Sequence, residues 1–314
     1  MPDPRYIPNE FPDLLSLSTP PEALLHDALR RIVRGEPPQA SYHDAHKVSG
    51  VASGPTALAY LFLRLSKIHS NLNIDGYPPI HWAEAYLRGD RSRCRHRSGN
   101  CGITSERVSL LALNACLSGS TAQVEEFIQG LAPILSPSSE TPFPSELLCG
   151  RAGTLYLIRM LRYFVPHAGL LLEEPITTLN RQILDKGEDG KGNWFFHGKH
   201  YYGAAHGDIG IITQLVLTTP SLAPRLQPRL EKLLDAQFEN GNWPSSAASS
   251  ADRLVQFCHG APGFIISLLA LKQYFPGLSS RIDHAVEMGR ACIWERGLLR
   301  KEPSLCHGIL GNSL

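Results

Sequence analysis

Along this chain, stretches that are apolar on nearly every side alternate with stretches that carry a single apolar stripe. Leu58, Leu61 and Leu65 lie in the first stretch of the fully apolar kind, and Val108, Leu111 and Ala112 in the second. Leu155, Ile158 and Leu161 follow, then Ile211, Ile212 and Leu215, then Ile265, Leu268 and Leu269. Spacings of three and four residues predict helices, and apolarity on most sides predicts helices buried in a core. Pro21 to Arg34, Thr121 to Leu135, Glu174 to Leu184, Pro224 to Phe238 and Ser279 to Trp294 are of the second kind. One stripe with a polar remainder predicts helices at the surface. Pro and Gly clusters such as Gly241-Asn242-Trp243-Pro244 punctuate the joins, and no strand pattern persists.

The alternation has a period. Gly54, Gly102, Gly150, Gly207, Gly260 and Gly308 are spaced by 48, 48, 57, 53 and 48 residues, and each of the first five opens or nearly opens an apolar stretch. Helix pairs repeating at about 50 residues build either an open solenoid or a closed α/α toroid. The apolar helices are too hydrophobic for a solenoid's concave face, which favours the toroid. The sequence thus reads as one all-α domain over residues 1–314, with its Gly-rich phrases gathered at one end, at the N-termini of the inner helices.

Composition narrows the function without naming it. A net charge of +1 offers no footprint for nucleic acid. The local exception is the basic run Arg91-Ser92-Arg93-Cys94-Arg95-His96-Arg97, expected to be a solvated loop, with an anion-binding loop as the alternative. No apolar stretch reaches membrane-spanning length, and Met1-Pro2-Asp3-Pro4 does not begin a signal peptide. Peripheral membrane contact stays open. The seven irregularly spaced cysteines point to reduced thiols and a cytoplasmic setting, with Cys116 and Cys149 as packing residues.

The chemistry lies in a repeated phrase. Phe257-Cys258-His259-Gly260-Ala261-Pro262-Gly263 returns as Leu305-Cys306-His307-Gly308-Ile309-Leu310-Gly311, and Ala205-His206-Gly207 is a version without the Cys. Successive repeats of a toroid stand side by side, so Cys258, Cys306 and His307 form a Cys₂His set suited to zinc with one open position. The alternative is plain duplication of a segment that packs well. His259 is left a packing role or one supporting the metal ligands, and His206 is placed beside the metal for acid–base work. Tyr201, Tyr202 and Asp208 flank His206 and are available to orient it or contact substrate. Arg300 and Lys301 precede Cys306 and read, on their own, as a solvated loop.

These segments resemble a known family. Trp194-Phe195-Phe196-His197-Gly198-Lys199-His200-Tyr201-Tyr202-Gly203-Ala204-Ala205-His206-Gly207, the Cys258 phrase, and Gly297-Leu298-Leu299-Arg300-Lys301 leading to Cys306-His307-Gly308-Ile309-Leu310-Gly311-Asn312 are similar to the signature segments of the eukaryotic LanC-like proteins, relatives of the bacterial lanthionine cyclases. The resemblance runs from Arg5 to the end. It implies an α/α toroid of seven inner and seven outer helices, zinc held by Cys258, Cys306 and His307, and His206 as the acid–base residue. It implies glutathione as the thiol partner, contacted by Arg5 and Lys301. The implied reaction adds that thiol to dehydroalanine or dehydrobutyrine in peptides or proteins.

Three departures qualify the resemblance. Phe257 stands where the family usually has Trp, and Cys101-Gly102-Ile103-Thr104-Ser105 lacks an Asp and a second Gly common in relatives. The sequence stops as the sixth inner helix should begin, so a seventh repeat is expected to be missing. Two functions follow: a zinc-dependent glutathione transferase, or a zinc- and glutathione-binding scaffold or sensor without turnover. A toroidal glycosidase lacks the paired carboxylates it needs, and lanthionine ring formation lacks a legible precursor partner.

Overall fold

Helices form where the periodicity places them. The computed structural model describes residues 5–11, 14, 16–42, 48–92, 98–136, 143–187 and 193–313. The surface helices of the first half are α1 (Pro21–Gly35) and a pair, α5 (Thr121–Gly130) and α6 (Ala132–Leu135), interrupted at Leu131; α2 (Pro55–Ile68) and α4 (Glu106–Ser118) are the apolar ones. Between α2 and α4 stands α3 (Pro79–Leu87), which the sequence reading missed because nine residues are too few to display a period. Then follow α7 (Arg151–Phe164), α8 (Glu173–Gly187), strands β1 (Phe195–Phe196) and β2 (Lys199–His200), α9 (Asp208–Thr218), α10 (Ala223–Asp235), α11 (Ala261–Leu271) and α12 (Ser279–Arg296). β1 and β2 form an antiparallel hairpin pairing Phe195 with His200. Strands of two residues are too short to show alternation, so the hairpin also escaped the sequence.

The chain divides into two compact units. One comprises Pro12–Pro142 and Leu157–Pro175. In it α2 packs on α3 and α4, and α4 on α5. Its core holds a buried ion pair, Arg91 Nε to Glu106 Oε1 at 2.8 Å. Arg91 also donates to the carbonyls of Tyr86 and Leu87, while Glu106 accepts from Thr56 and from Gly50 N–H. The reading of Arg91 as part of a solvated loop is therefore overturned: its side chain is 5% exposed, because Glu106 and three carbonyls replace its water shell. Residues 93–97 of that run, Cys94 included, lie outside the described residues.

The other unit comprises Met1–Phe11, Phe143–Tyr156 and Ile176–Leu314. Here α9 packs against α10 and α11, and α11 against α12. All but one residue of α9 is buried, as its all-round apolarity requires. The recurring glycines take one role: Gly207 caps α9, Gly260 caps α11, and Gly308 caps a 3₁₀ turn over Ile309–Gly311. Gly260 has φ of 106°, and a Cβ there would meet Leu254 O at 2.0 Å. Gly260→Ala therefore carries both backbone strain and a backbone clash. It is expected to cost about 1–3 kcal/mol, read as a lowered Tm, and to loosen the adjoining Cys258 turn.

Candidate functional site

The turn before α11 is held from beneath. Asn242 is fully buried and accepts from Ala261 N–H at 2.8 Å, capping α11, while its amide donates to Leu254 O at 3.1 Å and Asp252 Oδ1 at 2.6 Å. Arg296 closes the other side of Asp252 at 2.6 Å. The turn carrying Cys258 is thus fixed by a buried amide backed by a half-buried ion pair. Asn312 ties the last turn to it, donating to Val255 O at 2.8 Å and Gly297 O at 2.9 Å.

Cys258 and Cys306 are brought together. Cys258 N–H donates to Cys306 O at 3.0 Å. Gln256 Nε2 donates to Cys258 Sγ at 3.0 Å. Their thiols act on one another: the Cys258 thiol and the His307 imidazole pull the Cys306 thiol down to about 6, while a second ionisation at Cys258 is resisted by the Cys306 charge and by burial. Ser304 Oγ accepts from the backbone N–H of Cys306 at 3.2 Å, shaping the turn that carries Cys306 and His307. His307 turns its Nε2 to Glu302 at 3.2 Å.

The donor set suits zinc: two free thiols, one of them prone to ionise, with an imidazole on the adjoining residue. The Cys306 thiol interacts with both Cys258 and His307, but His307 Nε2 is engaged with Glu302. Among the described residues no group of three or more His, Cys, Asp or Glu is arranged to hold a metal ion. Closing the set calls for His307, 41% exposed, to reorient against Glu302.

His206 adjoins this pair. Its Nδ1 bonds Glu146 Oε2 at 2.7 Å, and its ring stacks on Phe196 of β1 with centroids 4.7 Å apart. Glu146 is 1% exposed and also accepts from the N–H groups of Leu148 and Cys149. Leu147 N–H donates to Ala205 O at 3.1 Å, which fastens the Glu146 turn to the His206 turn. With Nδ1 engaged, Nε2 is the nitrogen left to exchange a proton. The sequence reading missed Glu146, whose signal is only an acid ahead of an apolar pair. Of the residues that flank His206, Asp208 is engaged elsewhere: both its oxygens accept from His200 Nε2, at 3.0 and 2.9 Å, and burial raises its pKa. That bond pins β2 to the start of α9 and so supports the Phe196 face against His206.

His259 lies within 6.1 Å of the His206 ring and 5.2 Å of Tyr201. Burial pushes it down to about 4, so it is neutral at pH 7. Gly203 lets the Tyr201–Gly207 segment approach closely, since a Cβ there would meet Cys258 O at 2.1 Å. Arg5 and Lys301 come to one edge: Tyr6 pairs antiparallel with Leu299, and Arg300 N–H donates to Arg5 O at 2.9 Å. Both cations are exposed. Of the expected packing cysteines, Cys116 is buried and pushed up to about 12, while Cys149 is half-buried.

The family model described as lanthionine synthetase C-like protein matches residues 50–314. The chain is 30% identical over 186 residues to a Danio rerio protein named glutathione S-transferase LANCL1, covering 54% of this chain and 45% of that one. It is 30% identical over 243 residues to the Arabidopsis thaliana LanC-like protein GCL1, covering 71% and 55%. The matches thus span about half the length of these curated relatives. Among solved structures, nisin cyclase superposes with a TM-score of 0.54 at 16% identity, over 93% of this chain and 80% of that chain. The match bears out the expected all-α, α/α-toroid fold class. No helix among the described residues is long and apolar enough to cross a membrane.

Proposed function

The chain belongs to the lanthionine synthetase C-like family, and from that premise we propose that it is a zinc-dependent glutathione transferase acting on dehydroalanine and dehydrobutyrine residues of peptides or proteins in the cytoplasm. The observation that carries the reading is the grouping of the Cys258–Cys306 pair with a histidine, His206, whose Nδ1 is held by a buried carboxylate. The name of a Danio rerio relative, glutathione S-transferase LANCL1, supports the choice of thiol.

Zinc held by Cys258, Cys306 and His307 would act as a Lewis acid that lowers the pKa of an incoming thiol. Arg5 and Lys301, on one exposed edge, bind the carboxylates of glutathione and orient its thiol. The sulfur adds to the β-carbon of the dehydroamino acid, and the π electrons move to the α-carbon. His206 Nε2 delivers the proton there, so the proton lost by the thiol reappears on the product. Glu146 holds the proton on His206 Nδ1 and balances the positive charge while Nε2 is protonated. Phe196 covers one face of the ring and limits water on that side.

The test is the thioether adduct. Incubated with glutathione and a dehydroalanine peptide, the chain is expected to yield the glutathionylated peptide by mass, and His206→Asn to slow its formation about 10²–10⁴-fold. A binding module without turnover is the second reading, favoured by the engagement of His307 with Glu302. Tight glutathione binding with no adduct would establish that reading and overturn the first.

A further inference from the structure

The cysteines assigned to metal are also a dithiol. The bond from Cys258 N–H to Cys306 O at 3.0 Å joins the two residues backbone to backbone, the kind of close approach a disulfide needs, whose α-carbons stand about 4.4–6.8 Å apart. Both are free thiols and their side chains interact directly. They are not equivalent. Cys306 is half-buried, whereas Cys258 is only 6% exposed and its sulfur accepts from Gln256. An accessible thiol beside a sheltered one is the division of labour of an attacking and a resolving cysteine. Arg5 and Lys301 are exposed cations on the edge where Arg5 pairs with Arg300, in the segment that runs on to Cys306, and would favour a ligand bearing carboxylates.

We propose that the metal-free Cys258–Cys306 pair is a thiol–disulfide exchange site for glutathione disulfide, closing into an intramolecular disulfide that shuts the chain to metal. The exclusion of metal rests on the ligand assignment above; the exchange itself does not. Cys306, as thiolate, attacks one sulfur of glutathione disulfide. A mixed disulfide forms at Cys306, and one glutathione leaves and takes up the proton. Cys258 then loses its proton and attacks Cys306 Sγ, forming the Cys258–Cys306 bond and expelling the second glutathione. The two cysteines are oxidised and one glutathione disulfide is reduced to two glutathiones, so atoms and electrons balance.

The test uses the full chain, stripped of metal by a chelator, reduced, and mixed with glutathione disulfide under argon. Released glutathione is counted and the cysteines are mapped by peptide mass. Two glutathiones per chain, a Cys258–Cys306 cross-link and no retained adduct are expected. Cys258→Ser is expected to trap one glutathione on Cys306. A persistent adduct on the wild type, a cross-link elsewhere, or two thiols still open to alkylation overturns the proposal; if the variant does not fold, the wild-type map decides alone. Zinc uptake is read beside it. The reduced chain should bind zinc, the oxidised chain should bind none, and dithiothreitol should restore binding. Zinc uptake undiminished by the cross-link overturns the metal half of the proposal. A reduced chain that takes up no zinc removes the ligand assignment, and with it that same half, while the cross-link still decides the exchange.

Discussion

Cys306→Ala is expected to leave the purified chain without zinc and without thioether-forming activity, while its helical circular dichroism persists. Three protein ligands are the least that an open zinc site uses, and a thiolate is the ligand that contributes most charge to this one. Cys306 is the more easily ionised of the pair, because Cys258 and His307 both stabilise its anion. Its loss leaves a sheltered thiol and an imidazole engaged with Glu302, which are too few donors to hold the ion. Cys258→Ser should behave alike. Cys292→Ser is the control: that thiol is buried, its burial pushes it up to about 11, and its loss should leave zinc in place. Elemental analysis of the three variants decides the matter. Full activity in Cys306→Ala would end the zinc mechanism.

The parts of this protein legible in its sequence are those written by local rules. Apolar periodicity over eleven to fifteen residues marked α1, α2, α4 and α7 through α11, since a helix that long repeats its buried face several times. The glycine repeat marked where apolar helices begin, and Gly207 and Gly260 do cap α9 and α11. The thiol pair was legible for the same reason, because successive repeats place equivalent turns side by side. What the sequence hid are relations with no period. Glu146 stands 60 residues before His206, and their contact exists only because Leu147 N–H bonds Ala205 O across two turns. His200 takes Asp208 away from His206, a competition that spacing cannot rank. Arg91 looks like one charge in a basic run until Glu106, on a different element, accounts for its burial.

Glu146→Gln is expected to lower kcat for thioether formation about 10²–10⁴-fold, with zinc content and KM for glutathione little changed. The side chain is nearly isosteric, and with its oxygen in the Oε2 position it still accepts from Leu148 N–H and His206 Nδ1–H; the fold is retained at the cost of the one bond from Cys149 N–H. What changes is charge. A carboxylate at 2.7 Å from Nδ1 fixes that proton and stabilises the imidazolium that must form whenever Nε2 is protonated. A neutral amide does neither as well, and its NH₂ group, if turned to Nδ1, demands the opposite tautomer and blocks Nε2 as an acceptor. Glu146→Ala should act differently. It strands the buried N–H groups of Leu148 and Cys149, at about 1–3 kcal/mol for each unsatisfied group, so stability falls together with rate. Glu146→Asp should recover part of the lost rate, because it restores the charge at a longer reach. A Gln variant that turns over like the wild type would show that the dyad packs His206 without serving its proton transfer.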